Sequence, residues 1–113
     1  MFTSGMSFAL GDEVEALRAT VQRWAQEKLA PRAAMIDATN EFARDLWPEL
    51  GALGLLGITA DPEFGGSGMG YVAHVVAVEE ISRASASTAL SYVVHSNLCV
   101  NQINKIGTRA QKE

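Results

Sequence analysis

The sequence predicts an all-α domain of about five helices joined around a Gly-rich loop. Three observations carry that expectation. Apolar residues recur at three- and four-residue intervals over Val14, Leu17, Val21, Trp24, Ala25 and Leu29 and again over Leu90, Val94 and Leu98, which is the period of a helix with one buried side. The β-branched run Tyr71 to Arg83 has no alternating segment nearby that could pair with it as a hairpin, and its length suits a helix. Glycines at 51, 54, 57, 65, 66, 68 and 70, with Pro62 among them, rule out a long regular element between the two halves.

Composition bounds the rest. A chain of 113 residues, 48% of them apolar, is one domain with a single core and is not expected to be disordered. The formal net charge is −4 and Lys and Arg are scattered singly, so nucleic acid or an anionic membrane would find no concentrated basic patch. The sole cysteine, Cys99, lies between Leu98 and Val100 and is expected to be a buried thiol in a reducing compartment. No apolar run reaches the length needed to span a bilayer. Residues 1–10 lack the basic flank and long apolar core of a signal peptide. They read as a leader or disordered start, with the domain over 11–113. The expected setting is the cytosol, or the compartment of a mature form whose leader has gone.

The first helix opens at Gly11-Asp12-Glu13, its acids placed where the helix dipole favours them. Asp12 and Glu15 have capping-box spacing. Arg18, Gln22, Arg23 and Gln26 fall off the apolar stripe. Pro31 interrupts, and a short helix re-enters through Met35 and Ile36, since proline suits a first helical turn. Asp37 to Asn40 reads as a turn. Asp45 is a candidate cap for a helix from Leu46 to Leu53, with Pro48 in its first turn.

The glycine loop invites a phosphate reading, which the spacing does not support. Gly66 and Gly68 would need a third glycine at 71 for the dinucleotide fingerprint, and that position is Tyr71. No Gly-Lys-Ser/Thr ending is present either. A tight loop that lets backbones pack closely is the stronger expectation.

The helix over 71–83 is apolar on most sides, so it is expected to be enclosed by others. Glu79 and Arg83 have i,i+4 spacing and predict a surface ion pair. The adjacent carboxylates Glu79 and Glu80 point about 100° apart on a helix and are not expected to share a site or act as a catalytic pair. Ser85 or Ser87 caps the last long helix, from about Thr88 to Ile103. This helix mixes an apolar face with Ser91, Tyr92, His95, Ser96 and Asn97. It is either an ordinary packed helix or the wall of a pocket. Leu90 and Val94 stand one turn apart on one face. His74 and His95 lack partners at metal-ligand spacing, so no metal site is expected. Cys99 has no cationic neighbour in sequence and is not expected to be a nucleophile. Gly107 stops the helix, and Thr108 to Gln111 has capping-box spacing for another. Because the sequence ends at Glu113, one turn into that helix, the expectation is a chain cut from a larger protein.

Several of these stretches carry a resemblance. Leu53-Gly-Leu-Leu-Gly-Ile-Thr, Pro62-Glu-Phe-Gly-Gly-Ser-Gly-Met-Gly and Glu79-Glu-Ile-Ser-Arg resemble the N-terminal orthogonal helical domain of acyl-CoA dehydrogenases. The run from Leu90 to Gln102, with Gly107 and Gln111-Lys112, is similar to the isovaleryl-CoA dehydrogenase branch. The likeness runs from about Gly11 to the end. It implies an FAD enzyme that α,β-desaturates an acyl-CoA and passes electrons to an electron-transferring flavoprotein, usually as a homotetramer. The glutamate base and most FAD-binding residues of that family lie in other domains, so no catalytic or cofactor-binding residue is assigned here. By the same likeness Leu90 and Val94 floor the acyl pocket, while Leu17 and Leu55 belong to the docking groove for the electron acceptor. The branch commonly has alanine where Val94 stands, a departure that points to a short acyl chain. The alternative is a non-catalytic helical interaction module that keeps the fold.

Overall fold

The structure, a computed structural model, describes residues 8–113 and is helical throughout, with no strand among the described residues. The expected leader, 1–10, lies outside the described residues as far as Ser7; Phe8 to Leu10 are exposed and without regular structure. Helix α1 runs over Asp12–Trp24 and passes into a π-helical turn, Ala25–Leu29. A 3₁₀ turn, Ala30–Arg32, then carries the chain into α2, Ala33–Thr39. Pro31 therefore does not interrupt the path: it sits at the start of the 3₁₀ turn, where its missing N–H is not needed. Asn40 closes α2 in the left-handed conformation at φ 55°, the usual use of Asn at a helix end.

Two caps differ from expectation. Gly11, not Asp12, precedes the first helical residue, and no side chain caps α1; Asp12, Glu13 and Glu15 sit in the first turn and act on the dipole only. Asp45 lies inside a 3₁₀ turn, Arg44–Leu46, that leads into α3, Trp47–Ala52. Its carboxylate is taken by Arg32 at 2.6 and 3.0 Å. That guanidinium holds Asp45 below its ordinary pKa.

The glycine loop closes on itself. Gly66 N–H donates to Asp61 O, Ser67 N–H to Gly57 O, Gly68 N–H to Ala60 O and Met69 N–H to Ile58 O, all within 3.0 Å. Ser67 Oγ adds a bond to Gly54 O at 2.7 Å. A side chain at Gly66 would collide with the Ala60 carbonyl, and Gly57 approaches the Gly66 Cα closely. These amides are spent inside the loop, so they offer no cradle for the pyrophosphate of a nucleotide or flavin. The compact structural loop expected from the spacing is what forms.

Helix α4, Tyr71–Ala84, packs along α1, and α5, Ala86–Val93, returns against α4. Ser85 caps α5 by accepting from Thr88 N–H. The expected single helix to Ile103 is instead three segments in continuous register: α5, a π-helical stretch Val94–Asn101, and α6, Gln102–Ile106. The buried residues of this rod are Thr88, Ala89, Tyr92, Ser96 and Asn101. The final spacing of five marks the wider π turn. Gly107 ends α6, and Thr108 with Gln111 forms the expected capping box of α7, Arg109–Lys112.

The core gathers Val21, Leu29, Leu50, Leu55, Ile58, Ile81 and Tyr92, all essentially solvent-free. Each such aliphatic side chain contributes roughly 1.5–3 kcal/mol of burial. Two expectations of burial fail. Cys99 is exposed, because the π turn rotates it off the core face that Ser96 and Asn101 occupy. Helix α4 is not enclosed: Ala73, Val76, Ala77 and Ile81 are buried, but Tyr71, Val72 and Val75 are half-exposed on its other side.

Candidate functional site

The rod from α5 to α6 has two faces of opposite kind. Its inner face holds Tyr92, Ser96 and Asn101, with α5 packed against α4 and the Tyr92 hydroxyl reaching the loop after α3. Its outer face presents Leu90 at 66%, Val94 at 48% and Leu98 at 61% exposure. A leucine-valine-leucine stripe left open on a helix that is otherwise anchored is the pattern of a surface awaiting an apolar occupant. The structure thus brings Leu90 and Val94 onto one stripe and adds Leu98 to it.

The inner face is polar for a buried one. Tyr92 donates its hydroxyl proton to Leu55 O at 2.7 Å. Ser96 Oγ donates to Tyr92 O at 2.7 Å and lies 3.4 Å from His74 Nδ1. With the serine proton committed to the Tyr92 carbonyl, the contact to His74 requires Nδ1 to be the donor. Burial pushes the His74 pKa down and the Tyr92 phenol up, so both stay neutral at physiological pH. His74 also lies between the rings of Tyr71 and Tyr92, each with its centroid 5.5 Å away. His95 turns instead toward α3, edge-on to Trp47 at 5.3 Å; its Nδ1 is buried with no hydrogen-bond partner among the described residues.

Leu17 is half-buried and packs on the core, and Leu55 is only 1% exposed. Leu55 presents no side-chain surface to a partner, so its place in a docking groove would be beneath the lining. The Glu79–Arg83 ion pair forms as expected at 3.0 Å. Contrary to the expectation from helix geometry, Glu79 and Glu80 do share a site: both reach Arg18 Nη1, at 2.9 and 2.8 Å. Two long side chains can converge on a third that approaches between them, which the angle between neighbouring Cβ vectors does not capture. Sequence reasoning placed Arg18 off the apolar stripe and found no partner for it. Its spacing of three from Glu15, also an ion pair here at 3.3 Å, was the only local signal.

Fold and stripe together define an all-helical domain whose α5–α6 rod leaves an apolar face open, as does the Tyr71/Val72/Val75 side of α4. The sequence profile of the acyl-CoA dehydrogenase N-terminal domain matches residues 11–113, and the chain belongs to that family. It is 55% identical to the mitochondrial isovaleryl-CoA dehydrogenase of Pongo abelii over 106 residues, 92% of this chain and 25% of that protein. In structure it matches butyryl-CoA dehydrogenase from Megasphaera elsdenii with a TM-score of 0.86 and 33% identity, covering 96% of this chain and 29% of that one. A chain from the solved structure of the electron-transferring flavoprotein of Acidaminococcus fermentans matches with a TM-score of 0.88 and 29% identity, over 95% of this chain and 28% of that one. The chain spans about a quarter of the length of the curated relatives it matches.

Proposed function

We propose that this domain supplies the floor of the acyl pocket in an FAD-dependent acyl-CoA dehydrogenase acting on a short branched acyl-CoA. In that reading isovaleryl-CoA becomes 3-methylcrotonyl-CoA in leucine catabolism. The carrying observation is the open Leu90/Val94 stripe on a helix whose opposite face is fixed by hydrogen bonds. The similarity to isovaleryl-CoA dehydrogenases supports the branch. A flavin held by the rest of the protein would supply the hydride acceptor for the β-carbon. The glycine loop here spends its amides internally, so flavin-binding groups are assigned to the rest of the protein, as is the glutamate that removes the α-proton. What this chain does is bound the acyl tail. Leu90 and Val94 exclude water from it and limit its length, because a methylene without room costs roughly 1–3 kcal/mol of overpacking.

Electrons would pass to an electron-transferring flavoprotein, docked over the part of the core that Leu17 packs against and that includes the buried Leu55. A homotetramer is the assembly that the family resemblance implies. The compartment would be the mitochondrial matrix for a eukaryotic protein, or the cytoplasm for a bacterial one. The pocket reading is tested in the whole protein with Val94→Phe and a panel of isovaleryl-, butyryl-, hexanoyl- and octanoyl-CoA. Activity toward the longer chains falls most, by about tenfold or more relative to butyryl-CoA. Equal relative rates before and after the substitution remove Val94 from the pocket. A non-catalytic helical module, the other reading, requires that the whole protein turn over none of the panel.

A further inference from the structure

We infer that Tyr92 is a positioning residue for acyl-chain selectivity, acting with Ser96 and His74 through the helix that carries Leu90 and Val94. The inference rests on the pocket reading above. Apolar packing alone is non-directional and lets a helix rotate or slide by fractions of a turn at small cost. Directional bonds in a buried setting do not. The rod from α5 to α6 carries its bonds on the side opposite the stripe. The Tyr92 hydroxyl, fully buried, ties it to the Leu55 carbonyl in the loop after α3. Four residues on, Ser96 ties it to His74 on α4.

These two ties, to two different elements, fix both the rotation and the axial position of the rod. They also stand where the helix changes from α to π register, between Val93 and Val94. In a π turn successive residues advance less than the 100° of an α-helix. The step from Leu90 to Val94 lies in α5 and carries about 40° past a full turn, while the smaller advance from Val94 to Leu98 in the π stretch brings Leu98 back toward the line of Leu90. A buried serine back-bonded to the carbonyl four residues earlier, as Ser96 is to Tyr92, loosens the local α-helical pattern and favours such a departure. The polar inner face thus sets where the apolar outer face stands, and a floor released from it recedes and admits longer chains.

The test uses the whole flavin-loaded protein and the ratio of kcat/KM for octanoyl-CoA to that for isovaleryl-CoA. Tyr92→Phe keeps the ring and removes only the hydroxyl. It is expected to raise the ratio about fivefold or more, at unchanged flavin content per subunit. Ser96→Ala, a milder change that leaves the Tyr92–Leu55 bond in place, is expected to raise it by a smaller factor. Tyr71→Phe, at a half-exposed position of α4 that keeps its ring against His74, is the control and leaves the ratio unchanged. A ratio within about twofold of the parent in Tyr92→Phe overturns the inference; if that variant does not fold with flavin, the same criterion applied to Ser96→Ala decides. Val94→Phe, measured alongside, separates the two claims. If it alters chain-length preference while Tyr92→Phe does not, the pocket reading stands and the positioning role falls. If Val94→Phe also leaves the preference unchanged, both fall.

Discussion

Arg18 on α1 reaches the buried carboxylate of Glu80 on α4 at 2.8 Å, and with the same nitrogen it holds Glu79 at 2.9 Å. Glu80 is only 2% exposed, and its second oxygen, Oε2, has no hydrogen-bond partner among the described residues. A buried carboxylate in that condition depends on its one close cation, since Arg83 approaches only to 3.8 Å. The carboxylates in turn hold the Arg18 pKa above its ordinary value, the bond from Glu79 contributing most.

Arg18→Ala therefore strands a buried charge, whereas Arg83→Ala removes an exposed partner that water replaces. The expected result is a melting temperature lowered by several degrees in Arg18→Ala and hardly at all in Arg83→Ala. Arg18→Ala combined with Glu80→Gln should regain part of the loss, because the neutral amide needs no counter-charge. Equal melting temperatures for the two arginine variants would show that Glu80 is neutralised by another group.

Gly66 gives a second stability prediction. An added Cβ there meets the carbonyl of Ala60, backbone that cannot swing aside, while at Gly65 it meets open space and only the backbone φ of 88° resists it. Gly66→Ala should open the loop that Ser67, Gly68 and Met69 close by their amides, at a cost of about 1–3 kcal/mol. Gly65→Ala costs roughly 1 kcal/mol from the left-handed conformation alone. Amide hydrogen exchange over residues 57–70 distinguishes them: protection is lost in the first variant and largely kept in the second. The reverse order would mean that the backbone shifts to make room at Gly66.

How much of this was legible in the sequence depends on the range of the interaction. Periodicity located the helices, and local rules found the Ser85 cap, the Thr108–Gln111 capping box and the Glu79–Arg83 pair, all decided within four residues. Arg18 with Glu80 and Tyr92 with Leu55 are 62 and 37 residues apart, and no local pattern announces them. Cys99 was expected to be buried from its apolar neighbours Leu98 and Val100, which do not say which face of the rod it takes; in the π stretch it is exposed. The π turn itself leaves only a faint trace, the five-residue step from Ser96 to Asn101 on the buried face. Leu90 and Val94 were legible as one face; whether that face was core or surface required the packing of the opposite side.

His74 makes stability depend on pH above the range in which carboxylates titrate. Its ring is buried between Tyr71 and Tyr92, and burial lowers its pKa below the ordinary 6.5. The unfolded chain takes up a proton at pH 6.5 that the folded one refuses until a lower pH. As pH falls through 6.5 the unfolded state binds more protons than the folded one, so stability is full above 6.5 and declines between 6.5 and the lowered value. Glu79 and Asp45, whose pKa values are depressed by Arg18 and Arg32, lose their contributions only as pH falls below about 4.5 and 3.8. Between pH 7.5 and 5 those carboxylates therefore add nothing to the decline, to which His74 contributes. Hydrogen-exchange protection of α4 and α5 should fall over that interval, after correction for the intrinsic exchange rate. His74→Phe retains a ring between the tyrosines but cannot take up a proton, so it should flatten the decline even if it is less stable at pH 7.5 through loss of the Ser96 contact. A decline as steep in His74→Phe as in the parent would assign the titration to another group.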